Sequence, residues 1–137
     1  MSKPPENAMR HLLTPALLLV ASSAIAQGMY SKPYAIVERG NNSETRNEAT
    51  LGLSKIDGKS PQSPRRSDPL PPGTHVIRVH FESARGEFRP EFQEVELDMQ
   101  PCMLYKIVAS YEHRTGPDWK PKVYSEPIGE CKRKFKL

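Results

Sequence analysis

The chain has 137 residues, with 20 Lys and Arg, 16 Asp and Glu, two cysteines and 14 prolines. Its net charge of +4 is unevenly spread: residues 27–131 hold 14 basic against 15 acidic side chains, and the final "KRKFKL" holds four cations. A near-neutral body of this kind excludes a broad basic face for nucleic acid, and ten prolines between positions 61 and 127 leave few windows long enough for a helix.

The first segment reads as an export signal. Arg10 and His11 precede the apolar "LLTPALLLVA", and "SSAIAQ" then supplies small residues at Ala24 and Ala26. Basic, apolar, then A-x-A is the order of a secretory signal peptide, with cleavage between Ala26 and Gln27. Met9 opens this pattern more tidily than Met1 does. The apolar run is too short, and too interrupted by Pro15, to anchor the chain across a bilayer. Gln27 stands where a lipid-anchored product would carry cysteine. The expectation is a signal peptide over 1–26, a single domain over 27–131 and a basic tail over 132–137, released into a periplasm or secreted without a transmembrane anchor. Asn41-Asn42-Ser43 matches a glycosylation acceptor, which matters only in a eukaryotic source.

Beyond residue 27 the pattern is short alternating segments between turn residues. "PYAIVE", "ATLGLSKI", "THVIRVHF", "EFQEVELDM", "LYKIVASYE" and "PKVYS" each read as a strand. Together they predict an all-β fold, an antiparallel sandwich or barrel, with a small Ig-like β-sandwich the preferred form. The polar stretch 40–48 and the long "DGKSPQSPRRSDPLPPG" read as surface loops, the second long enough to be mobile.

The third strand holds two histidines, His75 and His80, which a metal site would need on one side. Five residues apart on a strand, they face opposite ways: His75 with Ile77, Val79 and Phe81, and His80 with Val76 and Arg78. No shared ion follows. In the fourth and fifth strands, Val95, Leu97 and Met99 form one apolar face and Tyr105, Ile107, Ala109 and Tyr111 another. Joined as a hairpin through Pro101-Cys102-Met103, they set Leu97 opposite Ile107 and Asp98 opposite Lys106. Cys102 then sits at the hairpin tip. In an oxidising compartment it pairs with Cys131, since the C-x-x-C spacing of a redox pair is absent.

"KIDGK", "LPPGTHVIRVHF", "MQPCMLYKIVA", "DWKPKV" and "IGEC" together resemble the small exported bacterial PEGA-like β-sandwich proteins, over residues 49–131. The PEGA tetrapeptide itself does not occur in the chain. The resemblance implies fold and compartment and carries no activity.

Candidate chemistry is sparse. Glu94, Glu96 and Asp98 are spaced about 6.5–7 Å apart on a strand, too far to converge on one cation, and read as a solvated face. No G-x-S-x-G elbow, phosphate-cradling loop or dinucleotide fingerprint occurs. His113 near Asp118 leaves a Ser-His-Asp grouping formally open, but the loop reading is preferred. No catalytic residue, cofactor or metal is expected, and the chain does not read as an enzyme. Trp119, confined between Pro117 and Pro121, either plugs the open end of the sandwich, the preferred reading, or joins Tyr124 as a partner contact. Lys132, Arg133, Lys134 and Lys136 around Phe135 form either a solvated tail or a contact for an anionic surface. The expected function is that of an exported, non-catalytic binding or accessory module of the cell envelope, facing an unknown protein or an envelope polysaccharide. The alternatives are a small secreted inhibitor or hydrolase accessory using loops 40–48 and 57–73, and an anionic-surface binder acting through the tail.

Overall fold

The computed structural model describes residues 28–81, 91–113 and 118–137, so the expected signal segment and its Ala26–Gln27 cleavage point lie outside the described residues. Six strands and one short helix follow in order: β1 (Ile36–Arg39), β2 (Glu48–Ile56), β3 (Gly73–Phe81), β4 (Phe92–Met99), β5 (Met103–Ser110), β6 (Lys120–Pro127) and α1 (Gly129–Phe135). Each strand falls on one of the alternating segments of the sequence. The sheet is mixed, not purely antiparallel, because β1 runs parallel to β5.

β2 joins the two halves of the sheet. Its first residues pair with β5 (Glu48 with Ser110, Thr50 with Val108), and the rest pairs with β3 (Leu51 with Phe81, Ile56 with Ile77). One half is therefore β6-β5-β1 and the other β2-β3-β4. Alternation turns Leu51, Leu53, Ile77, Val79, Leu97 and Met99 from the second half, and Val37, Tyr105, Ile107 and Ala109 from the first, into one buried cluster. β2 ends in a two-residue turn in which Asp57 (φ 52°) and Gly58 (φ 80°) are both left-handed, while Ile56 and Lys59 exchange backbone bonds of 2.8 and 3.0 Å. That is a type I′ turn, and Asp-Gly is the dipeptide it favours.

Four sequence expectations need correction. The first is the hairpin of β4 with β5: β4 pairs only with β3, while β5 pairs with β1, β2 and β6. Leu97 thus lies opposite His75 and not Ile107. Lys106 meets Glu38 (3.9 Å) and Glu126 (3.3 Å) in place of Asp98. Pro101-Cys102 forms an arch between the halves, because the backbone of Cys102 is engaged elsewhere. Its N–H donates to the Tyr34 carbonyl (2.7 Å), its carbonyl accepts from the Ile128 N–H (2.8 Å), and its φ is 59°. The Gln100 N–H closes the arch onto the Tyr105 hydroxyl at 2.7 Å. Residues of both apolar faces still enter one buried cluster.

The second correction is the antiparallel sheet, already noted. The third concerns the segment 57–73, which is a surface loop as expected but is tied down over residues 65–70. It lies along the outer edge of β1, with Leu70 and Ala35 exchanging two bonds of 2.8 Å, the Ser67 N–H bonded to the Val37 carbonyl (2.8 Å), and the Val37 N–H bonded to the Ser67 hydroxyl (3.0 Å). Unpaired edge groups of β1 are satisfied in this way. The fourth is the tail, of which Lys132 to Phe135 belong to α1. Cys131 and Phe135, four residues apart on one helix face, pack with Tyr34, Ile36 and Cys102. Lys132, Arg133 and Lys134 fill the last turn, where cations complement the helix dipole. Lys136, at φ 55°, ends the helix with its N–H on the Lys132 carbonyl.

The Cys102–Cys131 disulfide is present, with Cα atoms 5.3 Å apart, and both half-cystines are buried. It fastens α1 to the arch. Replacing both cysteines by serine should lower stability by about 3.5 kcal/mol, the loop-closure entropy for the separation of 29 residues. Calorimetry should read this as a fall of about 15–25 °C in Tm; an unchanged Tm would show that the covalent link adds nothing to the packing of α1.

Candidate functional site

Acid–base chemistry would reside in the titratable groups inside the fold. His75 is 8% exposed. Its Nδ1 lies 2.5 Å from Asp57 Oδ2, and its Nε2 lies 2.6 Å from the Pro71 carbonyl. A carbonyl and an ionised carboxylate only accept, so this geometry suits the imidazolium form of His75, in which both ring nitrogens donate. Asp57 reaches it from the type I′ turn, and its other oxygen accepts the Val76 N–H at 2.8 Å. Burial opposes the charged form of His75, but the bonds to Asp57 and Pro71 and the Asp57 charge outweigh it and raise its pKa. The His75 and Val76 bonds hold the Asp57 carboxyl below its usual range. His80 faces the other way, as the strand parity requires. Its Nδ1 is 2.6 Å from the Ser54 hydroxyl, and its ring lies over Gly52, where a Cβ would run into it.

Glu48 is the second buried ionisable group, 2% exposed at the start of β2. Arg46 Nε donates to its Oε1 at 2.6 Å, and the Tyr124 hydroxyl from β6 sits 2.7 and 2.9 Å from its two oxygens. Burial pushes the Glu48 pKa up. The bonds from Tyr124 and Arg46, with the charges of Arg46 and Lys122, overcome this and leave it below the ordinary value. Sequence reading missed this cluster, because Glu48 sits at a position that the polar loop 40–48 made look solvated. The one available cue was that Glu48 continues the alternation of β2.

A cavity of about 360 Å³ opens where β5 ends and β6 begins. Ser110, Glu112, His113, Asp118, Trp119 and Lys120 line it. The grouping left open by the sequence is thus brought to one place, but among the described residues no hydrogen bond links Ser110, His113 and Asp118. Trp119 is 3% exposed, packs on Phe81 with ring centroids 5.6 Å apart, and its carbonyl accepts from Gln93 Nε2 at 2.8 Å. Its ring belongs to the main buried cluster. Tyr124 keeps an exposed ring, with Lys122 Nζ 5.1 Å from its centroid. Lys132, Arg133, Lys134 and Lys136 stand on or just after α1, with Lys134 Nζ donating to the Tyr30 carbonyl at 2.6 Å. No group of three or more potential metal ligands occurs among the described residues.

The outer face of β2-β3-β4 carries a different arrangement. The Arg78 guanidinium lies 4.6 Å above the Phe92 ring, and Phe92 is 42% exposed. Beside them run Glu94, Glu96 and Asp98, exposed as the alternation predicts. Comparison with known proteins gives no match to a family model, to a curated protein or to a solved structure.

Two outcomes follow from the buried groups. The His75 contribution is complete below a pH of about 6.5 and fades as pH rises through its raised folded pKa; that of Asp57 is present above about 3.9 and fades as pH falls through its depressed one. Asp57→Asn keeps the left-handed turn and should cost about 1 kcal/mol, reduced because Asp57 is 45% exposed. Thermal melts across pH should show the largest gap to the parent protein between about pH 4 and 6.5, narrowing as pH rises through the raised folded pKa of His75. Tyr124→Phe, which leaves Glu48 with one donor fewer, should cost about 1–3 kcal/mol near pH 7. Because Glu48 has a depressed pKa, that loss should shrink as pH falls toward 4, which urea titrations at the two pH values would read.

Proposed function

We propose that the chain is a non-catalytic binding or accessory module of the cell envelope, exported and built as a small β-sandwich of the PEGA-like kind. The observation that carries this reading is the use made of its buried ionisable groups. His75 has both ring nitrogens bonded within the fold, and Glu48 has both carboxylate oxygens bonded likewise. Groups held in this way stabilise a scaffold and leave recognition to the surface. The disulfide supports a non-reducing compartment, and no helix among the described residues is long and apolar enough to cross a membrane. Two apolar strand faces that meet in one core support the sandwich reading.

The reading as an inhibitor or hydrolase accessory would use loops 40–48 and 57–73. The second of these is bound along β1, which leaves 40–48 as its main contact surface. A second reading, contact with an anionic surface, is favoured by α1, which holds Lys132, Arg133 and Lys134 on a helix fastened by the disulfide.

Crosslinking in the cells that make the protein, followed by purification under non-reducing conditions, tests these proposals. A single protein partner in the envelope fraction is the expected result. Recovery with lipid or polysaccharide alone would favour the α1 reading. Protein found with reduced thiols in the cytosol would overturn the compartment and the module reading together.

A further inference from the structure

Two strand edges are left uncovered among the described residues, those of β4 and β6. The parity of the ladders shows which backbone groups each edge presents. The Phe81 N–H bonds the Glu91 carbonyl at 2.9 Å, and Gln93, Val95, Leu97 and Met99 continue that alternation opposite Val79, Ile77, His75 and Gly73. In an antiparallel pair every second residue bonds its neighbour and those between point outward. Phe92, Glu94, Glu96 and Asp98 therefore aim their N–H and C=O groups away from β3. On β6, the Ile128 N–H bonds the Cys102 carbonyl at 2.8 Å, so the same count turns Pro121, Val123, Ser125 and Pro127 outward. Two of those four lack an N–H. The β6 edge is blocked to strand addition by proline, and the β4 edge is not.

We infer that the β4 edge from Glu94 to Asp98 is a strand-addition site for an extended segment of another protein in which Lys or Arg alternates with apolar residues. This deepens the binding-module reading and rests on it. The residues that point their backbone outward also carry the acids, so each partner residue opposite them lies beside Glu94, Glu96 or Asp98 on the exposed face. The β3 neighbours of Glu96 and Asp98 are Val76 and Thr74, neither of them a cation. Partner residues in the alternate positions come beside half-buried Val95 and buried Leu97, which suits apolar side chains. A second copy of the chain is a poor occupant. Antiparallel pairing of β4 with itself would set acid against acid, and β6 offers too few donors. Strand addition gives affinity through main-chain bonds and specificity through the alternate side chains.

The probe is a blocked seven-residue peptide alternating lysine and valine, with a glutamate–valine peptide as control. Hydrogen exchange of the intact protein, read by NMR, should show the Glu94, Glu96 and Asp98 amides slowing at least tenfold with the lysine peptide, with the Val123 and Ser125 amides unchanged. Glu96→Pro removes one outward N–H and leaves the β3–β4 ladder intact, so it should weaken binding at least tenfold with an unaltered melt. Should that variant fail to fold, the triple change Glu94→Lys, Glu96→Lys, Asp98→Lys should switch preference to the glutamate peptide. Equal binding of both peptides, protection at β6, or no slowing at the β4 amides overturns the edge assignment. None of these results bears on the compartment or on a partner crosslinked through another surface, so the broader reading stands or falls separately.

Discussion

The arch at Cys102 is the constraint on which the rest of the fold depends. Its N–H bonds Tyr34 at the entry to β1, its carbonyl bonds Ile128 at the exit of β6, and its sulfur is joined to Cys131 in α1. One residue thus ties the first strand, the last strand and the helix to the crossing between the two halves of the sheet. A tight hairpin at this point would have kept β4 and β5 adjacent and left β1 without its parallel neighbour. Capture of both backbone groups of Cys102 from outside the β4–β5 connection makes the chain cross instead, and a left-handed φ at a non-glycine residue is tolerated because three partners hold it.

The other polar interior groups fit the same plan. His75 with Asp57 ties the turn after β2 to β3 and to Pro71, and Glu48 with Tyr124 ties the start of β2 to β6. Each bridges segments far apart in sequence, where an apolar contact would fix no direction. Among the described residues no buried side-chain nitrogen or oxygen lacks a partner, as a small core needs, since each unsatisfied group would cost about 1–3 kcal/mol. Protection of the edges follows the same economy: segment 65–70 covers β1, prolines block β6, and among the described residues nothing covers β4, which has an acidic face beside it.

Much of this was legible in the sequence, for local reasons. The six strands lie where alternation and turn residues put them, and His75 and His80 face opposite sides because five is an odd number. The disulfide follows from the pairing of the chain's two cysteines, whereas the prolines around Trp119 confine its segment without deciding whether the ring is buried. What was not legible concerns neighbours. Alternation shows that Leu97 and Ile107 both face the core, but the same alternation serves strands side by side or strands facing each other across the interior. "KRKFKL" shows its charge at once, whereas its helix depends on Cys131 and Phe135 finding Tyr34 and Ile36. Glu48 looks like a loop residue until Tyr124 arrives from 76 positions away.

The sequence by itself determined the period of each segment, the face that each strand buries and the pairing of Cys102 with Cys131. These depend on φ/ψ preference and on side-chain character within a few residues. The tertiary structure alone decided which strands are hydrogen-bonded, that β1 runs parallel to β5, that the arch replaces a hairpin, and that β4 is left as an edge among the described residues. Backbone N–H and C=O groups are chemically alike along the chain, proline excepted, so the partner each one takes is selected by the packing of the whole fold.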